Sequence, residues 1–501
     1  MTLNAISRGL GVIALSLSAF HSPAAYQPST IAPPAPIREF RAAWVSSVYN
    51  GVWPSRKGLT TTEQKAELLA ILDRAAQLKL NAIILQVRPM CDALYASPIE
   101  PWSEFLTGTM GKAPKPFYDP LLFAVEEAHK RGLELHAWFN SFRAAVPPSR
   151  AALAANHVSK TKPHLVREYG KHLWLDPGER ESQDYSLSVV MDVLKRYDID
   201  GVHFDDYFYP YKEKSYSGRD LDFPDQSSWQ KYGLRSGLSR DDWRRDNVNR
   251  FIRRVYETVK ANKPWVKFGL SPFGIWRPGS PPQIKGYDAY EELYADARKW
   301  LQNGWLDYFA PQLYWANEPK EQSFSALLKW WADQNLKSRH LWPGLNTYEV
   351  GRKWTPDEIL NQIRFTRQQG TGGHIHWPMK NLMGGSSGLV STLEKDIYAQ
   401  PALVPASRWL DPVAPEKPRL TIDANGNGTR PRFTWAPTGT KKIWLWVLQT
   451  REGGMWTTQI LPANRTSHAF NTALPEVGAV TAVDRCGNAS RPAALQITGG
   501  R

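Results

Sequence analysis

The chain has 501 residues, which is too long for one ordinary domain, because domains average about 100–200 residues. Apolar residues make up 42% and charged residues 22%, which excludes a mainly disordered chain, and two cysteines exclude a disulfide scaffold or a multi-cysteine metal cluster. The net charge of +14 is spread along the chain without a Lys/Arg block, so it favours an anionic polymer or cell surface and does not indicate nucleic acid.

The first 25 residues are typical of a secretory signal peptide. One Arg precedes the apolar run Leu10–Phe20, and Ser22 and Ala24 occupy the −3 and −1 positions of a cleavage site. The run is too short to span a bilayer, which needs about 20 apolar residues, and no Cys follows it as in a lipoprotein. We therefore predict an exported protein of the periplasm or cell envelope, without a transmembrane segment or lipid anchor, that begins with a flexible leader over residues 26–37.

Eight apolar runs of strand length alternate with helical patterns between residues 38 and 404. Strands are predicted at Glu39–Ser47, Ala82–Val87, Leu133–Asn140, Gly201–Phe208, Lys267–Gly274, Asp307–Tyr314, His340–Asn346 and Gly372–Met379. Helices are predicted at Thr62–Leu78, Pro120–Arg131, Ser186–Tyr197, Arg244–Ala261, Tyr290–Asn303, Phe324–Gln334 and Pro356–Gln369. Eight such units fit a closed (β/α)₈ TIM-type barrel better than an open sheet, and the long strand-to-helix loops would form the mouth where barrel active sites lie.

A change of composition marks a second region near residue 405. Residues 405–418 form a Pro-rich linker, and short alternating runs separated by Gly, Asn and Thr follow it. This pattern predicts a small all-β sandwich over residues 419–501. Cys91 and Cys486 fall in different predicted domains, so we expect two free, mostly buried thiols.

Alternation along the predicted strands places polar and aromatic side chains at one end of the barrel. In the fourth strand His203 and Asp205 point inward, and Asp206 and Tyr207 follow at its carboxyl end. A buried carboxylate at this position is costly unless it is paired or takes part in chemistry. The same sorting turns the following residues inward: Gln86, Arg88, His136, Trp138, Asn140, Gln312, Tyr314, Asn346, His374 and His376. Carboxylates, amides and aromatic faces in one place are typical of a carbohydrate subsite.

Each of these residues also has a structural interpretation. The two aspartates could be partners of Arg88 or Arg143, and the histidines of the eighth strand could form a packed inner layer. A metal site built from those histidines with His203 and Asp205 is conceivable, although no compact ligand motif supports it. Helix surface charge is the default interpretation of the acidic residues around the fifth loop.

Seven segments resemble one known family. They are RAAWVSSVYNGVWPS (41–55), LQVRPMCDALYASPIEPWSEFLTG (85–108), AHKRGLELHAWFNSFRA (128–144), DGVHFDDYFYPY (200–211), LSPFGIWRPG (270–279), YADARKWLQNGWLDYFAPQLYW (294–315) and GGHIHWPM (372–379). These long, ordered segments cover roughly residues 38–400 and resemble glycosyl-hydrolase-like family 10. The resemblance implies a barrel glycosidase of the cell envelope, in a family that includes a hydrolase of denuded peptidoglycan strands. The segment VTAVDRCGNAS (480–490) is similar to the last strand and turn of fibronectin type III domains.

Two features depart from related patterns. Members of the family are often lipoproteins, whereas the lipidation Cys is missing here. The segment DGVHFDDYFYP (200–210) is also similar to the chitinase motif Asp-Gly-x-Asp-x-Asp-x-Glu, with Asp205 at the middle Asp. However, His203 stands at the earlier Asp and Tyr207 at the Glu. The chitinase proton donor is therefore missing, and the substrate-assisted mechanism is not expected.

We therefore expect an exported glycoside hydrolase that cleaves bacterial cell-wall glycan, in particular peptide-free peptidoglycan strands, without a metal or cofactor. Glycosidic cleavage usually needs two carboxyl groups, ~5–5.5 Å apart for retention and ~6.5–9.5 Å apart for inversion. Asp205 is the first candidate and Asp206 the second, and their mutual repulsion should raise the pKa of one of them. Residues expected to contact the substrate are Arg88, Asp92, Trp102, Trp138, Asn140, Arg143, His203, Tyr207, Gln312, Tyr314, Trp315, Asn346 and His376. Reserve carboxylates are Asp92, Glu100, Glu291 and Glu292.

Two other functions fit the same residues. A glycan-binding protein without turnover would keep the aromatic cleft and need no acid pair, and a hydrolase of a neutral α-glucan would apply the same chemistry to another polymer. The positive net charge favours an anionic wall glycan, because removal of the stem peptides exposes lactyl carboxylates. The C-terminal sandwich is expected to orient the barrel, to touch the wall or to act as a spacer.

Overall fold

The computed structural model describes residues 25–147, 152–385, 388–423, 431–470 and 475–498. The predicted signal peptide lies outside the described residues, apart from its last position. The strands are β1 Ala25–Pro28, β2 Ile37–Arg38, β3 Phe40–Val45, β4 Ala82–Arg88, β5 Glu134–Phe139, β6 Arg143–Ala145, β7 Val166–Tyr169, β8 His172–Leu175, β9 Gly201–Phe204, β10 Lys267–Leu270, β11 Tyr308–Phe309, β12 His340–Leu341, β13 Gly344–Asn346, β14 Gly373–Trp377, β15 Ala402–Leu403, β16 Arg419–Asp423, β17 Arg432–Ala436, β18 Leu445–Glu452, β19 Met455–Pro462, β20 Ser467–Ala469, β21 Val477–Val483 and β22 Ala493–Thr498. The α-helices are α1 Thr61–Gln77, α2 Glu104–Thr107, α3 Pro120–Lys130, α4 Val158–Thr161, α5 Arg180–Arg196, α6 Gln226–Ser228, α7 Arg240–Asn262, α8 Ala289–Glu292, α9 Ala297–Asn303, α10 Phe324–Gln334, α11 Pro356–Gln368, α12 Lys380–Met383 and α13 Leu389–Lys395.

A parallel sheet in the order β12-β11-β10-β9-β5-β4-β3-β14-β13 forms the main body. Its two end elements, β12 and β13, are parts of one strand that is interrupted only by Trp342 and Pro343. Backbone hydrogen bonds continue through the interruption, from Trp342 N to Phe309 O (2.8 Å) and from Ile375 N to Pro343 O (3.0 Å). The two ends of the sheet therefore meet, the sheet closes with eight strands, and the predicted (β/α)₈ barrel is confirmed.

The helices begin where their sequence signals place them. Thr60 caps α1 in a capping box with Glu63, and Asp119 caps α3, which has Pro120 at its first position. The predicted helix over residues 290–303 is instead two short helices, α8 and α9. Between them Tyr294 takes a positive φ of 53°, which a continuous right-handed helix does not allow.

Large side chains fill the inside of the barrel. Phe40 stacks on Trp342 with 3.8 Å between ring centroids, and Ile375 and Tyr308 pack in the same cluster. Gly269 in β10 makes room for the Tyr308 ring, because a Cβ there would lie 1.9 Å from it. The inside of the barrel is thus a packed core and not a channel.

Two antiparallel sheets form the C-terminal region, in the orders β1-β22-β21-β18-β19 and β16-β17-β20. Apolar side chains of both sheets, including Phe433, Trp446 and Val480, pack in one cluster, as in a β-sandwich. The expectation of a flexible leader was wrong at its start, because β1 pairs with β22 along its whole length. The leader therefore begins as an edge strand of the C-terminal sheet.

The C-terminal region closes the amino end of the barrel. Arg485 donates to Asp200 (2.8 Å) at the start of the fourth barrel strand, and Trp409 of the predicted linker donates from Nε1 to Asp307 (2.9 Å). Both cysteines are free and buried, as expected. Within the ranges that the structure describes, every helix is too short or too polar to span a bilayer.

Candidate active site

A cleft of about 360 Å³ opens at the carboxyl ends of the barrel strands. Side chains from seven of the eight strands, or from the loops that follow them, line it. They are Trp44, Val48, Tyr49, Gln86, Trp138, Arg143, Asp205, Asp206, Tyr207, Tyr211, Ser271, Phe273, Gln312, Tyr314 and Trp377. The structure therefore brings together five of the predicted substrate contacts with the two aspartates that follow β9, and adds several aromatic residues.

Asp205 lies at the bottom of the cleft with its carboxyl group held on one side. Oδ2 accepts two hydrogen bonds, from Nε1 of Trp138 (3.0 Å) and from Nδ2 of Asn140 (2.5 Å). Oδ1 accepts only a longer bond from the backbone N–H of Tyr207 (3.3 Å). The proton of a neutral Asp205 therefore belongs on Oδ1, because Oδ2 is occupied by two donors.

The amide of Asn140 has only one orientation that satisfies its neighbours. Its Oδ1 accepts from Nε2 of Gln86 (2.6 Å) and from Nη2 of Arg143 (2.8 Å), so its NH₂ group faces Asp205. The Gln86 amide is fixed in turn, because its Oε1 accepts two backbone N–H groups of the loop after β3. Through this chain of bonds, the loop after β3 fixes the Gln86 amide, Gln86 fixes Asn140, and Asn140 orients the carboxyl group of Asp205.

The two adjacent aspartates perturb each other. Burial raises the pKa of Asp205 to about 7, and the neighbouring Asp206 carboxylate adds to the rise, against the opposing charge of Arg143. Burial also raises the pKa of Asp206, while hydrogen bonds from Tyr211 and Gln312 favour its ionised form. Two adjacent carboxyl groups whose surroundings differ in this way are an arrangement that can supply an acid and a base.

Three indole rings surround the carboxyl groups. Trp44 and Trp138 each contact Trp377 edge-on, with ring centroids 6.2 Å apart in both pairs. On the opposite wall the guanidinium of Arg143 lies 4.9 Å from the ring centre of Tyr207. Aromatic faces suit the apolar C–H faces of sugars, and the polar groups between them suit the hydroxyls.

His203 lies beneath the cleft and does not line it. Its Nε2 accepts from Nε1 of Trp44 (3.1 Å), so its proton is on Nδ1, which faces the Tyr308 hydroxyl (2.9 Å). Burial lowers the pKa of this imidazole well below its ordinary value, which keeps it neutral. The predicted substrate contact at His203 is therefore a support for Trp44.

Two residues of the second strand and loop were wrongly predicted to contact the substrate. A β-bulge between Gln86 and Arg88 shifts the register of β4, and Arg88 turns away from the cleft. It forms a buried ion pair with Glu100 (2.6 Å). Glu100 is therefore not available as a reserve catalytic carboxylate. Asp92 is fully buried and accepts from the backbone N–H of Met90 (2.9 Å), outside the cleft.

The eighth strand was predicted in the wrong phase. Its inward residues are Ile375 and Trp377, whereas His374 and His376 face outward and share the hydroxyl of Tyr398, at 2.5 and 2.7 Å. His376 is therefore not a substrate contact, and the two histidines cannot join Asp205 in a metal site. In the part of the chain that the structure describes, no three His, Cys, Asp or Glu side chains are grouped as metal ligands.

The other predicted contacts lie around the cleft without lining it. Trp102 packs its ring edge-on against Phe117, and Trp315 packs against Phe273. Asn346 ends β13 outside the set of lining residues. The reserve carboxylates of the fifth loop are held in ion pairs, Glu291 with Arg245 and Arg277, and Glu292 with Lys212.

Several lining residues were missed by the sequence analysis. Alternation along the first strand places Trp44 on the inner face of the barrel, and the correct phase of the eighth strand places Trp377 on the same face. Ser271 and Phe273 follow the end of β10, where strand periodicity no longer applies. Tyr49 lies in an irregular loop for which the sequence carries no periodic signal.

A second cavity of about 340 Å³ lies at the other end of the barrel. It is lined by helix-to-strand turns and by the C-terminal sheet, with residues such as Asn81, Gly132 and Leu445. Its Glu134 carboxylate is bound by the buried ammonium of Lys267 (2.8 Å). Because that acid is paired with a cation, the coupled acid pair at the mouth is the better candidate for chemistry.

A (β/α)₈ barrel whose mouth holds two buried, coupled carboxyl groups among aromatic side chains has the architecture of a glycoside hydrolase. The model of the family described as glycosyl hydrolase-like 10 matches residues 39–359. The glycosyl hydrolase YngK of Bacillus subtilis is 40% identical over 479 residues, which cover 91% of this chain and 92% of the relative. The glycosyl hydrolase DigH of Escherichia coli K12 is 37% identical over 361 residues, covering 67% and 80%. Among solved structures, the catalytic domain of β-amylase from Paenibacillus polymyxa has a TM-score of 0.48 at 13% identity and covers 73% of this chain and 99% of that chain.

The chain belongs to glycosyl hydrolase-like family 10. It is a glycoside hydrolase, and its substrate is a carbohydrate.

Proposed function

We propose that this glycoside hydrolase is exported and cleaves bacterial cell-wall glycan, with peptide-free peptidoglycan strands as its substrate and with Asp205 and Asp206 as its catalytic residues. The observation that carries the catalytic part is the coupled pair at the mouth, in which Asp205 has a pKa of about 7. An acid with a pKa near the working pH is the most effective proton donor in general acid catalysis.

Asp205 is the general acid of this proposal. Its Oδ2 is held by Trp138 and Asn140, so the protonated Oδ1 is free to donate to the oxygen of the leaving sugar. After the bond breaks, the new carboxylate keeps both N–H donors on Oδ2, and Arg143 is close enough to favour its charge. The surroundings thus support both protonation states that the reaction cycle requires.

Asp206 is the ionised partner. Tyr211 and the Gln312 amide donate hydrogen bonds to its carboxylate, which favours the charged form in spite of burial. A carboxylate here stabilises the oxocarbenium-like transition state and acts on the anomeric carbon, either directly or through an activated water. When Asp205 gives up its proton, the two carboxylates repel each other, which favours return of a proton to the site in the next step.

Three observations support the wall glycan as substrate. The family model matches residues 39–359 of the barrel, the chain carries a net charge of +14, and Arg143 presents a cation at the cleft wall. Peptide-free peptidoglycan exposes lactyl carboxylates at regular intervals, which complement these positive charges. The signal peptide predicted before residue 26 would deliver the enzyme to that polymer.

Product release from purified sacculi tests this proposal. Sacculi with and without stem peptides are incubated with wild type, Asp205→Asn or Asp92→Asn, and soluble sugars are identified by mass spectrometry. Asp92 is a matched control, because it is also a buried aspartate but lies outside the cleft. We expect release from peptide-free sacculi by wild type and Asp92→Asn only. Binding of wild type without release would indicate a glycan-binding protein, and release from starch but not from sacculi would indicate an α-glucan hydrolase.

A further inference from the structure

The loop after β3 contains two consecutive non-glycine residues in the left-handed backbone region. Tyr49 has φ 55° and ψ 20°, and Asn50 has φ 52°. Asn tolerates this conformation, but a residue with a bulky aromatic side chain rarely adopts it. Gly51 follows directly and takes an ordinary right-handed conformation (φ −61°). Glycine adopts the left-handed region most readily, yet in this turn Tyr49 and Asn50 occupy that region and Gly51 does not.

Several hydrogen bonds hold this two-residue turn. Nδ2 of Asn50 donates to the backbone oxygens of Pro54 (2.9 Å) and Phe105 (2.8 Å). On the other side of the turn, Val48 N donates to Oε1 of Gln86 (2.9 Å), whose amide also positions the site. A strained conformation persists where its surroundings fix it in this way, and such strain is concentrated at functional sites.

The turn places the ring of Tyr49 on the wall of the cleft. One edge of the ring packs against Phe105, with centroids 6.1 Å apart at an angle of 63°, and 55% of the residue stays exposed. Burial raises the pKa of the Tyr49 phenol and the nearby Arg143 guanidinium opposes that rise, while Tyr49 contributes to the rise in the pKa of Tyr207, which is mainly due to burial. Tyr49 therefore presents an open aromatic surface next to the catalytic pair, in a conformation that requires a dedicated set of bonds.

We infer that Tyr49 is a substrate-binding residue whose ring stacks on a sugar of the glycan. The two hydrogen bonds from Nδ2 of Asn50, here called the Asn50 clamp, fix the ring in the position that binds the sugar. The inference rests on the function proposed above, because it assigns a binding role in the same cleft. A fixed ring loses little conformational freedom when the glycan binds, which explains why a strained turn is kept where a glycine would relax it.

Steady-state kinetics on soluble peptide-free glycan oligosaccharides, prepared from amidase-treated sacculi, test the inference. Tyr49→Ala should raise KM about tenfold and change kcat little, because stacking of this kind holds bound substrate and transition state alike. Tyr49→Phe keeps the ring and should stay within about threefold of wild type. Asn50→Ala removes both clamp bonds and should raise KM by an intermediate factor. Trp265→Ala is the control, since Trp265 is an exposed aromatic residue in a turn at the opposite end of the barrel.

The structural alternative is that Tyr49 only packs on Phe105. In that case Tyr49→Ala lowers the melting temperature and leaves KM unchanged, and this outcome overturns the inference. Binding of the same oligosaccharides by calorimetry, to Asp205→Asn with and without Tyr49→Ala, separates the two proposals. Binding that weakens about tenfold without Tyr49 supports the inference even if wild type releases no product. Absence of binding to both proteins overturns the inference together with the proposed substrate.

Discussion

Replacing Asp205 by Asn should stabilise the folded protein at alkaline pH and not at acid pH. The pKa of Asp205 is raised from 3.8 to about 7, mainly by burial. Below about pH 4 the residue is protonated in both the folded and the unfolded chain, so its ionisation has no effect on stability. As the pH rises from about 4 to 7, the unfolded chain loses this proton first, and stability falls. Three pKa units at about 1.36 kcal/mol each set an upper limit of about 4 kcal/mol above pH 7.

Asn removes this penalty and keeps the two bonds to Oδ2, because its amide oxygen can accept from Trp138 and Asn140, and it gives up only the longer bond from the Tyr207 backbone N–H. At about 2.1 cal/mol/K per residue, the unfolding entropy of a chain this long is about 1 kcal/mol/K, so 4 kcal/mol corresponds to a rise in melting temperature of about 4 °C. Thermal unfolding of wild type and Asp205→Asn at pH 4 and pH 8, followed by circular dichroism, measures the difference. Equal melting temperatures at pH 8, or the same gain at both pH values, would refute the assigned pKa.

Asp92 provides a matched control for this experiment. Burial raises its pKa to about 7 as well, but the residue lies outside the cleft. Asp92→Asn should therefore show the same gain of stability at pH 8 and retain glycan hydrolysis, whereas Asp205→Asn gains stability and loses activity. Loss of activity in both variants would mean that disturbance of the second loop, and not removal of an acid, accounts for the effect.

Three further predictions follow from the contacts of the site and of the domain interface. The value of kcat/KM should fall as the pH rises above about 7, because Asp205 must be protonated to act as the acid. Trp138→Phe should move this alkaline limb of the pH–rate profile to higher pH, since it removes a hydrogen-bond donor that favours the carboxylate. A pH–rate profile with no limb in this region would contradict the assignment of Asp205. Arg485→Ala should lower the free energy of unfolding in urea by about 2 kcal/mol, because it removes a charged hydrogen-bond donor from the buried carboxylate of Asp200 and leaves His129 as its remaining ion-pair partner, and should leave activity at 25 °C unchanged. His376→Gln should cost about 1 kcal/mol of stability and preserve kcat and KM, and a large loss of activity in the folded variant would show that the outward orientation is wrong.

Strand periodicity predicted the parts of the site that lie on regular strands or directly continue them. Trp138, Asp205 and Gln312 face the mouth as expected, because the side chains of a strand alternate strictly between the two faces of the barrel wall. The order of strands and helices also predicted the closed barrel, since eight regular units leave few other arrangements. Neither result required knowledge of long-range contacts.

The errors occur where that regularity is interrupted. The β-bulge before Arg88 removed it from the cleft, and a phase error of one residue exchanged His376 for Trp377. Periodicity could not find Tyr49, because its position depends on a left-handed turn that is held by Asn50. The raised pKa of Asp205 also depends on burial and on a neighbour in space, which a sequence pattern suggests but does not measure.

Incorporation of heavy oxygen from solvent tests the central claim, that the aspartate pair at the barrel mouth hydrolyses a wall glycan, most directly. Peptide-free glycan strands are incubated in ¹⁸O-labelled water with wild type, Asp92→Asn or Asp205→Asn, and the new reducing ends are weighed by mass spectrometry. Hydrolysis by this pair should give products that carry one solvent oxygen from wild type and Asp92→Asn, and no products from Asp205→Asn. Products without solvent oxygen, or full activity of Asp205→Asn, would contradict it.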